Sequence, residues 1–294
     1  MKLDAATVLL PVRVLVHNIR YATTSPFLGE QLWALRAPKI LNELKYNTRH
    51  INESFICLQE ALNGQVNDIL TGLNSDVAGQ WSYIGVGRDD GMTAGEYSPI
   101  FYRPDTWTLI GNVTKWLSET PDVPSKGWDA ASIRIVNIGN FEHTVTKHHV
   151  LVMNTHLDDQ GAQSRVESAK QLRTYIYTYL AQAPYPLQTA LVGDFNSDPT
   201  DEAYGILTAA DSPVRDLYMR CPLELHYGHN NTYTGFGSEP NLKAERIDYI
   251  LTGKDAGWVP QGYAVLENRF DDGVYVSDHR AVVGDWVIRR SPNF

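Results

Sequence analysis

The stretch Ala190–Thr200, ALVGDFNSDPT, joins an apolar run directly to a carboxylate, an amide and a proline. The apolar run predicts a buried β-strand, and Pro199 predicts that this strand has already ended. Because side chains alternate between the two faces of a strand, Asp194 and Asn196 are predicted to point the same way. Taken alone, the pair is explained equally well by a hydrogen-bonded turn before the proline.

The same arrangement recurs where other apolar runs begin or end. The clusters are His17-Asn18, Gln59-Glu60, Asn154-Thr155-His156, Arg246-Ile247-Asp248 and Ser277-Asp278-His279. Each one has a plain structural alternative, such as a capping amide, a solvated carboxylate, a surface ion pair or a hydrogen-bonded core histidine. Their coincidence in one chain favours a site at one edge of a sheet, because buried carboxylates are costly unless they are paired or hold a metal.

The pattern between these clusters predicts a mixed α/β chain. Apolar runs predict strands at Val12–Asn18, Phe55–Glu60, Pro99–Arg103, Ile133–Ile138, Val150–His156, Ala190–Asn196, Ile247–Leu251 and Ala281–Ile288. Helical spacing predicts helices over 66–73 and 162–180, a helix with Pro38 in its first turn, and a short helix capped by Thr200. No repeat or linker divides the chain, so we expect one domain over residues 1–294, with its core between about Val12 and Ile288.

Composition limits the classes of function. With 25 Lys+Arg and 34 Asp+Glu, the formal net charge is −9, which disfavours strong non-specific binding of nucleic acid. The two cysteines, Cys57 and Cys221, indicate free thiols rather than a disulfide scaffold or a zinc site. No apolar run is long enough to span a membrane, and Met1–Pro11 is a poor signal peptide. We therefore expect a cytoplasmic monomer, with a secreted protein that has lost its leader as the alternative.

The residue types at the strand ends predict a hard divalent cation. Carboxylates such as Glu60, with an Asp partner, suit Mg²⁺ or Mn²⁺, whereas no Cys or His spacing favours zinc. A divalent metal beside two histidines and several aspartates suits transfer of a phosphoryl group to water.

These motifs, in this order, resemble the endonuclease/exonuclease/phosphatase superfamily. The matching residues are Asn18, QE at Gln59-Glu60, NTH at Asn154–His156, GDFN at Gly193–Asn196, RIDYI at Arg246–Ile250 and SDH at Ser277–His279. The resemblance implies a DNase I-like, four-layer α/β-sandwich in which two face-to-face mixed β-sheets are flanked by helices. It covers nearly the whole chain, and the surrounding segments look like a poorly characterised, metal-dependent hydrolase branch.

The resemblance also implies a role for each matching residue. Glu60 would be the principal metal ligand, with Asn18 and Asp278 beside it. The implied catalytic residues are Asp194 and Asn196 at the attacking water and the phosphate, His279 held by Asp248, and His156 on the other side of the phosphate. The resemblance further implies Arg134 at the phosphate and Glu96 in support of His156. We expect two further substrate-binding residues, Asn154, which alternation places on the face of His156, and Trp128, whose segment could line the pocket.

The expected function is that of a Mg²⁺-dependent phosphoesterase, with Mn²⁺ as the alternative metal. Its substrate would be a small or medium phosphorylated molecule, a phosphodiester or a phosphomonoester. A nuclease acting on single-stranded or short DNA or RNA is the runner-up, since aromatic residues near the motifs could stack on bases. DNase I-like enzymes carry an arginine where this chain has Leu62, which counts against duplex DNA. A non-catalytic binding protein is a third, less favoured reading.

Overall fold

The computed structural model describes residues 9–77, 79–237, 244–254 and 257–289. Most of Met1–Pro11, the stretch considered above as a leader, lies outside the described residues. Two mixed β-sheets pack face to face, and helices cover their outer faces. This confirms the predicted four-layer α/β-sandwich.

Thirteen strands form the two sheets of the described chain. They are β1 (Leu9–Asn18), β2 (Ser54–Gln59), β3 (Ser82–Ile84), β4 (Ile100–Tyr102), β5 (Trp107–Trp116), β6 (Ile135–His143), β7 (His149–His156), β8 (Leu187–Asp194), β9 (Val214–Asp216), β10 (His226–Gly228), β11 (Asp248–Gly253), β12 (Trp258–Val265) and β13 (Val282–Arg289). The seven-stranded sheet has the order β10-β12-β13-β1-β2-β4-β3, and the six-stranded sheet has the order β5-β6-β7-β8-β11-β9.

The helices lie between the strands in the chain. They are α1 (Trp33–Thr48), α2 (Asn63–Leu73), α3 (Ala162–Gln182), α4 (Glu202–Thr208) and the short α5 (Leu217–Arg220), followed by a 3₁₀ turn at Leu223–Leu225. Helices α1 to α4 pack on the outer faces of the sheets, whereas Leu217 of α5 joins the apolar cluster between them. Within the described ranges, no helix combines the length and the apolar character that a membrane span requires.

Strand alternation explains the layers. In β1, Val12, Val14 and Val16 pack between the two sheets. Leu15, from the opposite face of β1, packs under α1 and α2 instead. A separate apolar cluster joins the six-stranded sheet to α3 and α4. Side chains at the ends of the inter-sheet faces therefore open into the space between the two sheets.

The structure differs from the sequence prediction at several elements. Strand β5 was not predicted because it is an edge strand, and its half-exposed side chains give no apolar run. Strand β12 was not predicted either, since Pro260 and a bulge interrupt it. Helix α1 begins at Trp33, so Pro38 lies inside it rather than in its first turn. Asp201, not Thr200, caps α4 by accepting a hydrogen bond from the Ala203 backbone.

Candidate active site

Strand register brings three of the predicted residues to one level of the six-stranded sheet. The parallel pair β7–β8 places His156 opposite Asp194. The antiparallel pair β8–β11 places Asp248 opposite the same Asp194. These side chains therefore leave three adjacent strands side by side, which is why they converge although they are distant in the chain.

The seven-stranded sheet supplies the opposite wall. Asn18 ends β1, and Glu60 directly follows β2, which runs parallel to β1. Asp278 and His279 lie shortly before β13. Both walls enclose a cavity of about 590 Å³ whose lining residues are Arg20, Tyr21, Phe27, Glu60, Arg88, Glu96, Ser132, Arg134, His156, Asp159, Asp194, Asn196, Tyr233, Glu245, Ile247, Asp278 and His279.

The carboxylate of Asp194 stands between the two cavity histidines. Its Oδ2 lies 3.5 Å from Nε2 of His156 and 3.6 Å from Nε2 of His279. Asn18 donates a hydrogen bond of 2.9 Å to the same oxygen, and the backbone N–H of Asn196 donates to Oδ1. Burial, with the neighbouring charge of Asp248, raises the pKa of Asp194 to about 7. A carboxylate of this kind can orient a water molecule and accept a proton from it.

His279 forms a His–Asp pair with Asp248. The His279 Nδ1 lies 2.9 Å from Asp248 Oδ2. Burial alone would lower the pKa of His279, but the carboxylates of Asp248 and Asp194 raise it well above its ordinary value. The ring is therefore a cation that presents Nε2 to the cavity, as a phosphate-binding or proton-donating group requires.

His156 occupies the opposite electrostatic situation. Burial lowers its pKa well below the ordinary value, and the nearby Arg134 and Arg88 lower it further. The side-chain amide of Asn196 donates to Nε2 of His156 over 3.0 Å, and Glu96 lies 3.8 Å from Nδ1. The ring is therefore neutral, with its proton assigned to Nδ1 by these neighbours.

Two carboxylates, Glu60 and Asp278, face the cavity on the side of the seven-stranded sheet. Burial raises the pKa of Asp278, and the negative charge of Glu60 adds to this while His279 opposes it. Such a pair of neighbouring carboxylates suits a divalent cation with oxygen ligands, since the cation would offset their mutual repulsion. Glu60 and Asp278 are thus the residues best placed to hold Mg²⁺ or Mn²⁺.

Asn18, which the resemblance implies as a metal ligand, uses its side-chain amide in three hydrogen bonds. Its side-chain oxygen accepts the backbone N–H of Arg20 over 3.0 Å. Its amide nitrogen donates to Glu60 and Asp194, each over 2.9 Å. In this arrangement Asn18 orients two carboxylates, and its side-chain oxygen keeps one lone pair beside the Arg20 N–H; its role as a metal ligand stays a prediction.

A second group of potential metal ligands is more deeply buried than Glu60 and Asp278. One ligand atom each from Asp194, Asp248 and His279 falls within 4.8 Å of the others, so the group could hold a cation. However, Asp248 already uses Oδ2 in its bond to His279, and its side chain is almost fully buried. Glu60 and Asp278, which face the cavity, could hold a cation without disturbing the His–Asp pair in the deeper group.

Two arginines, Arg134 and Arg88, also line the cavity. Arg134 lines the cavity and donates to Asp158 over 3.2 Å and to Asp159 over 2.8 Å. Within the described residues, its buried Nη1 has no hydrogen-bond partner. Arg88 donates to Glu96 over 2.8 Å, and burial together with the charge of Glu60 raises the pKa of Glu96 to about 7.

Two residues expected at the substrate lie elsewhere. Asn154 shares the inter-sheet face with His156 but sits deeper, where its amide donates to the carbonyl oxygens of Leu58 and Pro99, each over 2.9 Å. Its oxygen accepts from Gln59, so Asn154 joins the two sheets rather than contacting the cavity. Trp128 is half-buried on a neighbouring loop and does not line the cavity.

Several cavity residues were missed by the sequence analysis. Tyr21 and Phe27 come from the loop between β1 and α1, with the Arg20 guanidinium 4.0 Å from the Tyr21 ring and 4.9 Å from the Phe27 ring. Arg88 comes from the long segment between β3 and β4. Loop residues of this kind follow no periodicity, so the pattern offered no signal for them.

A larger cavity of about 870 Å³ lies on the outer side of the seven-stranded sheet, beside α1. Its lining includes the aromatic residues Tyr46, Tyr227 and Phe270 but neither of the two active-site histidines. The smaller cavity, with its convergent histidines and carboxylates, is therefore the candidate active site.

Comparison with known proteins agrees with this geometry. The family model described as "Endonuclease/Exonuclease/phosphatase family" matches residues 15–279, and the chain belongs to that family. Its members are hydrolases of phosphoester bonds and generally use a divalent metal. We accordingly place the chain in that class of enzyme. A comparison with curated protein sequences gave no significant match.

Three solved structures that are similar to this chain come from Bacteroides species. An endonuclease/exonuclease/phosphatase family protein from Bacteroides thetaiotaomicron is 32% identical, with a TM-score of 0.82, over 96% of this chain and 99% of that chain. A mannosyl-6-phosphatase from the same organism is 32% identical, with a TM-score of 0.80, over 94% and 99%. A family protein from Bacteroides vulgatus is 29% identical, with a TM-score of 0.82, over 94% and 98%.

Proposed function

We propose that the protein is a Mg²⁺-dependent phosphatase that hydrolyses a phosphomonoester of a small phosphorylated substrate, with sugar phosphates as the favoured class. The observation that carries the proposal is the placement of Asp194 between a cationic and a neutral histidine in a cavity that also holds Glu60 and Asp278. The similarity to a mannosyl-6-phosphatase supports the sugar class.

The charges of the cavity fit a bound metal ion. Its lining carries more carboxylates than cationic groups, namely Glu60, Glu96, Asp159, Asp194, Glu245 and Asp278 against Arg20, Arg88, Arg134 and the cationic ring of His279. A phosphate dianion would be repelled by this surplus unless a cation offset it. When bound by Glu60 and Asp278, a divalent ion would supply that charge and polarise a phosphate oxygen.

The remaining steps belong to side chains of this chain. Asp194 orients the attacking water and takes its proton while the bond from phosphorus to the ester oxygen breaks, and this proton then passes to the leaving oxygen to give the alcohol. The cationic ring of His279 donates a hydrogen bond from Nε2 to the phosphate, which stabilises the charge that develops during attack. The unpartnered Nη1 of Arg134 offers a further donor from the opposite wall.

A nuclease acting on single-stranded or short DNA or RNA is the second candidate. The rings of Tyr21, Phe27 and Tyr233 line the cavity, and such flat faces can stack on a base. The same faces can pack against a sugar, and the net charge of −9 disfavours a polyanionic substrate. We therefore rank the nuclease below the phosphatase.

The monomeric state and the cytoplasmic location stay proposals from the sequence. Light scattering would test the first, and cell fractionation would test the second.

A substrate panel tests the proposal. Purified protein would be assayed with mannose 6-phosphate, glucose 6-phosphate, bis-p-nitrophenyl phosphate, single-stranded DNA and RNA, in Mg²⁺, Mn²⁺ or EDTA. We expect phosphate release from a sugar phosphate that requires the metal and is abolished in Glu60→Gln, which keeps the side-chain shape but removes the charge. Metal-dependent cleavage of nucleic acid alone would support the nuclease. Absence of hydrolysis throughout would contradict both enzymatic proposals.

A further inference from the structure

The side chain of Arg36 is fully buried beneath the loops that carry the metal ligands. Arg36 lies in the first turns of α1 and shares the buried stripe of that helix with Ile40 and Leu44. Burial lowers its pKa from the ordinary value, although nearby carboxylates oppose the shift. A buried guanidinium is costly unless its N–H groups find acceptors, so its partners identify what it does.

Each N–H of this guanidinium points to a backbone carbonyl oxygen. The acceptors are Gln31 at 2.8 Å from Nε, Ile19 at 2.7 Å and Val276 at 3.0 Å from Nη1, and Arg20 at 3.1 Å and Tyr21 at 3.4 Å from Nη2. An arginine side chain has five N–H donors, so this set uses its full capacity. The burial of Arg36 is therefore compensated by contacts to backbone alone.

The acceptors belong to the segments that hold the metal-binding wall. Ile19 directly follows Asn18, and Val276 precedes Asp278 by two positions. The backbone N–H of Tyr21 donates to Oε2 of Glu60 over 3.2 Å. One guanidinium thus joins the loop that contacts Glu60 to the segment that carries Asp278.

We propose that Arg36 is a positioning residue that sets the separation of Glu60 and Asp278 and thereby the affinity of the site for its divalent ion. This inference rests on the proposed metal-dependent function. The planar fork of arginine fixes the directions of all its hydrogen bonds, whereas lysine offers a single flexible ammonium with three donors. Arg36→Lys would keep the positive charge but lose the simultaneous hold on both segments.

Arg103 provides a matched control. It is also buried, and it donates to the carbonyl oxygens of Thr48, Ile51 and Asn52 over 2.9 to 3.1 Å. None of these acceptors belongs to a segment that lines the active-site cavity. Arg103→Lys therefore removes a comparable buried clamp without disturbing the metal ligands.

The test is calorimetric titration of Mn²⁺ into the metal-free wild type, Arg36→Lys and Arg103→Lys, with folding checked by circular dichroism. We expect the Kd of Arg36→Lys to rise about 10- to 100-fold, as for other residues that support metal ligands. The Kd of Arg103→Lys should stay within about two-fold of wild type, because its site is independent. Both variants should melt at lower temperature. A wild-type Kd in folded Arg36→Lys would overturn the inference alone, whereas a wild type that does not bind Mn²⁺ would contradict the metal-dependent function itself.

If Arg36→Lys does not fold, amide hydrogen exchange in the wild type tests whether Arg36 couples α1 to the metal site. The first turns of α1, residues 33–37, hold no metal ligand. Bound Mn²⁺ can slow exchange by global unfolding at protected amides throughout the protein, so slowing at residues 33–37 that is absent at residues 48–52 indicates the local coupling proposed for Arg36. We expect slower exchange at residues 33–37 on addition of Mn²⁺ and unchanged exchange at residues 48–52, where Arg103 binds. Unchanged exchange at residues 33–37 would overturn the inference.

Discussion

The two histidines of the cavity have the same side chain but different charges, since His279 is a cation and His156 is neutral. His279 faces two carboxylates, Asp248 and Asp194, and its pKa is raised well above the ordinary value. His156 also lies 3.5 Å from Asp194, but burial lowers its pKa well below the ordinary value, and the nearby Arg134 and Arg88 lower it further. Both rings are buried and both turn Nε2 toward the same carboxylate.

The difference teaches that the hydrogen-bond partner of each ring, rather than the shared carboxylate of Asp194, assigns its role. A bonded carboxylate at Nδ1 makes His279 a cation, whereas the amide of Asn196 at Nε2 requires His156 to be an acceptor there. A cationic and a neutral imidazole on either side of Asp194 can serve different steps, stabilising charge on one side and holding the proton acceptor on the other.

The largest effect is expected from removing the charged histidine. His279→Ala should lower kcat for the preferred phosphate ester by about 10²- to 10⁴-fold, since it deletes the cation that binds the developing charge. Steady-state kinetics with saturating Mg²⁺ would measure it.

His149→Ala is the matched control for that variant. His149 stacks on Tyr185 outside the cavity, so its loss should leave kcat close to wild type. Asp248→Asn should reproduce much of the His279→Ala defect, because an amide cannot hold the ring as a cation. Near-normal turnover in His279→Ala would refute the role assigned to this ring.

A smaller effect is expected from the neutral histidine. In His156→Gln the side chain keeps a neutral acceptor for the Asn196 amide, so kcat/KM should fall by about 10-fold, equivalent to about 1.4 kcal/mol. The same kinetic assay measures the change. A loss as large as that of His279→Ala would mean that the two rings share one role and that the comparison between them is mistaken.

Strand-end residues were predictable because alternation and chain breaks are visible in the sequence. Alternation assigns a face but not a depth. Asn154 illustrates this: it lies on the same face of β7 as His156 but two positions earlier in the strand. There its side chain hydrogen-bonds to the other sheet and does not reach the cavity. The level at which His156, Asp194 and Asp248 meet depends on strand register, which long-range pairing decides.

Residues on loops and buried charges were harder to predict. Arg88 and Tyr21 reach the cavity from segments without periodicity. Arg36 did leave a signal, since an arginine spaced four and eight positions before Ile40 and Leu44 interrupts an otherwise apolar helical stripe. The carbonyl partners that explain it come from loops whose course the sequence pattern does not specify.

Of these substitutions, replacing Asp158 should change activity least, but it should change the stability of the fold. It accepts the backbone N–H groups of Ala131, Ser132 and Gly161 as well as Nε of Arg134. Burial would raise its pKa, but these donors prevail and lower the pKa to about 2. A folded-state pKa below the unfolded value of about 3.9 means that the stabilisation is present above pH 4 and is lost as the pH falls toward 2.

Asp158→Asn should therefore lower the free energy of unfolding by about 1–3 kcal/mol at pH 7, because the amide nitrogen cannot accept the backbone N–H groups. The difference in free energy of unfolding between wild type and Asp158→Asn should become smaller as the pH falls from about 4 toward about 2. Urea unfolding at several pH values measures both. Asp211→Asn is the control, since Asp211 is an exposed partner of Arg173 whose loss should change stability little. If this difference in free energy of unfolding did not change with pH, Asp158 would act through its shape and not through its charge. The cavity wall that carries Arg134 would then be held by packing.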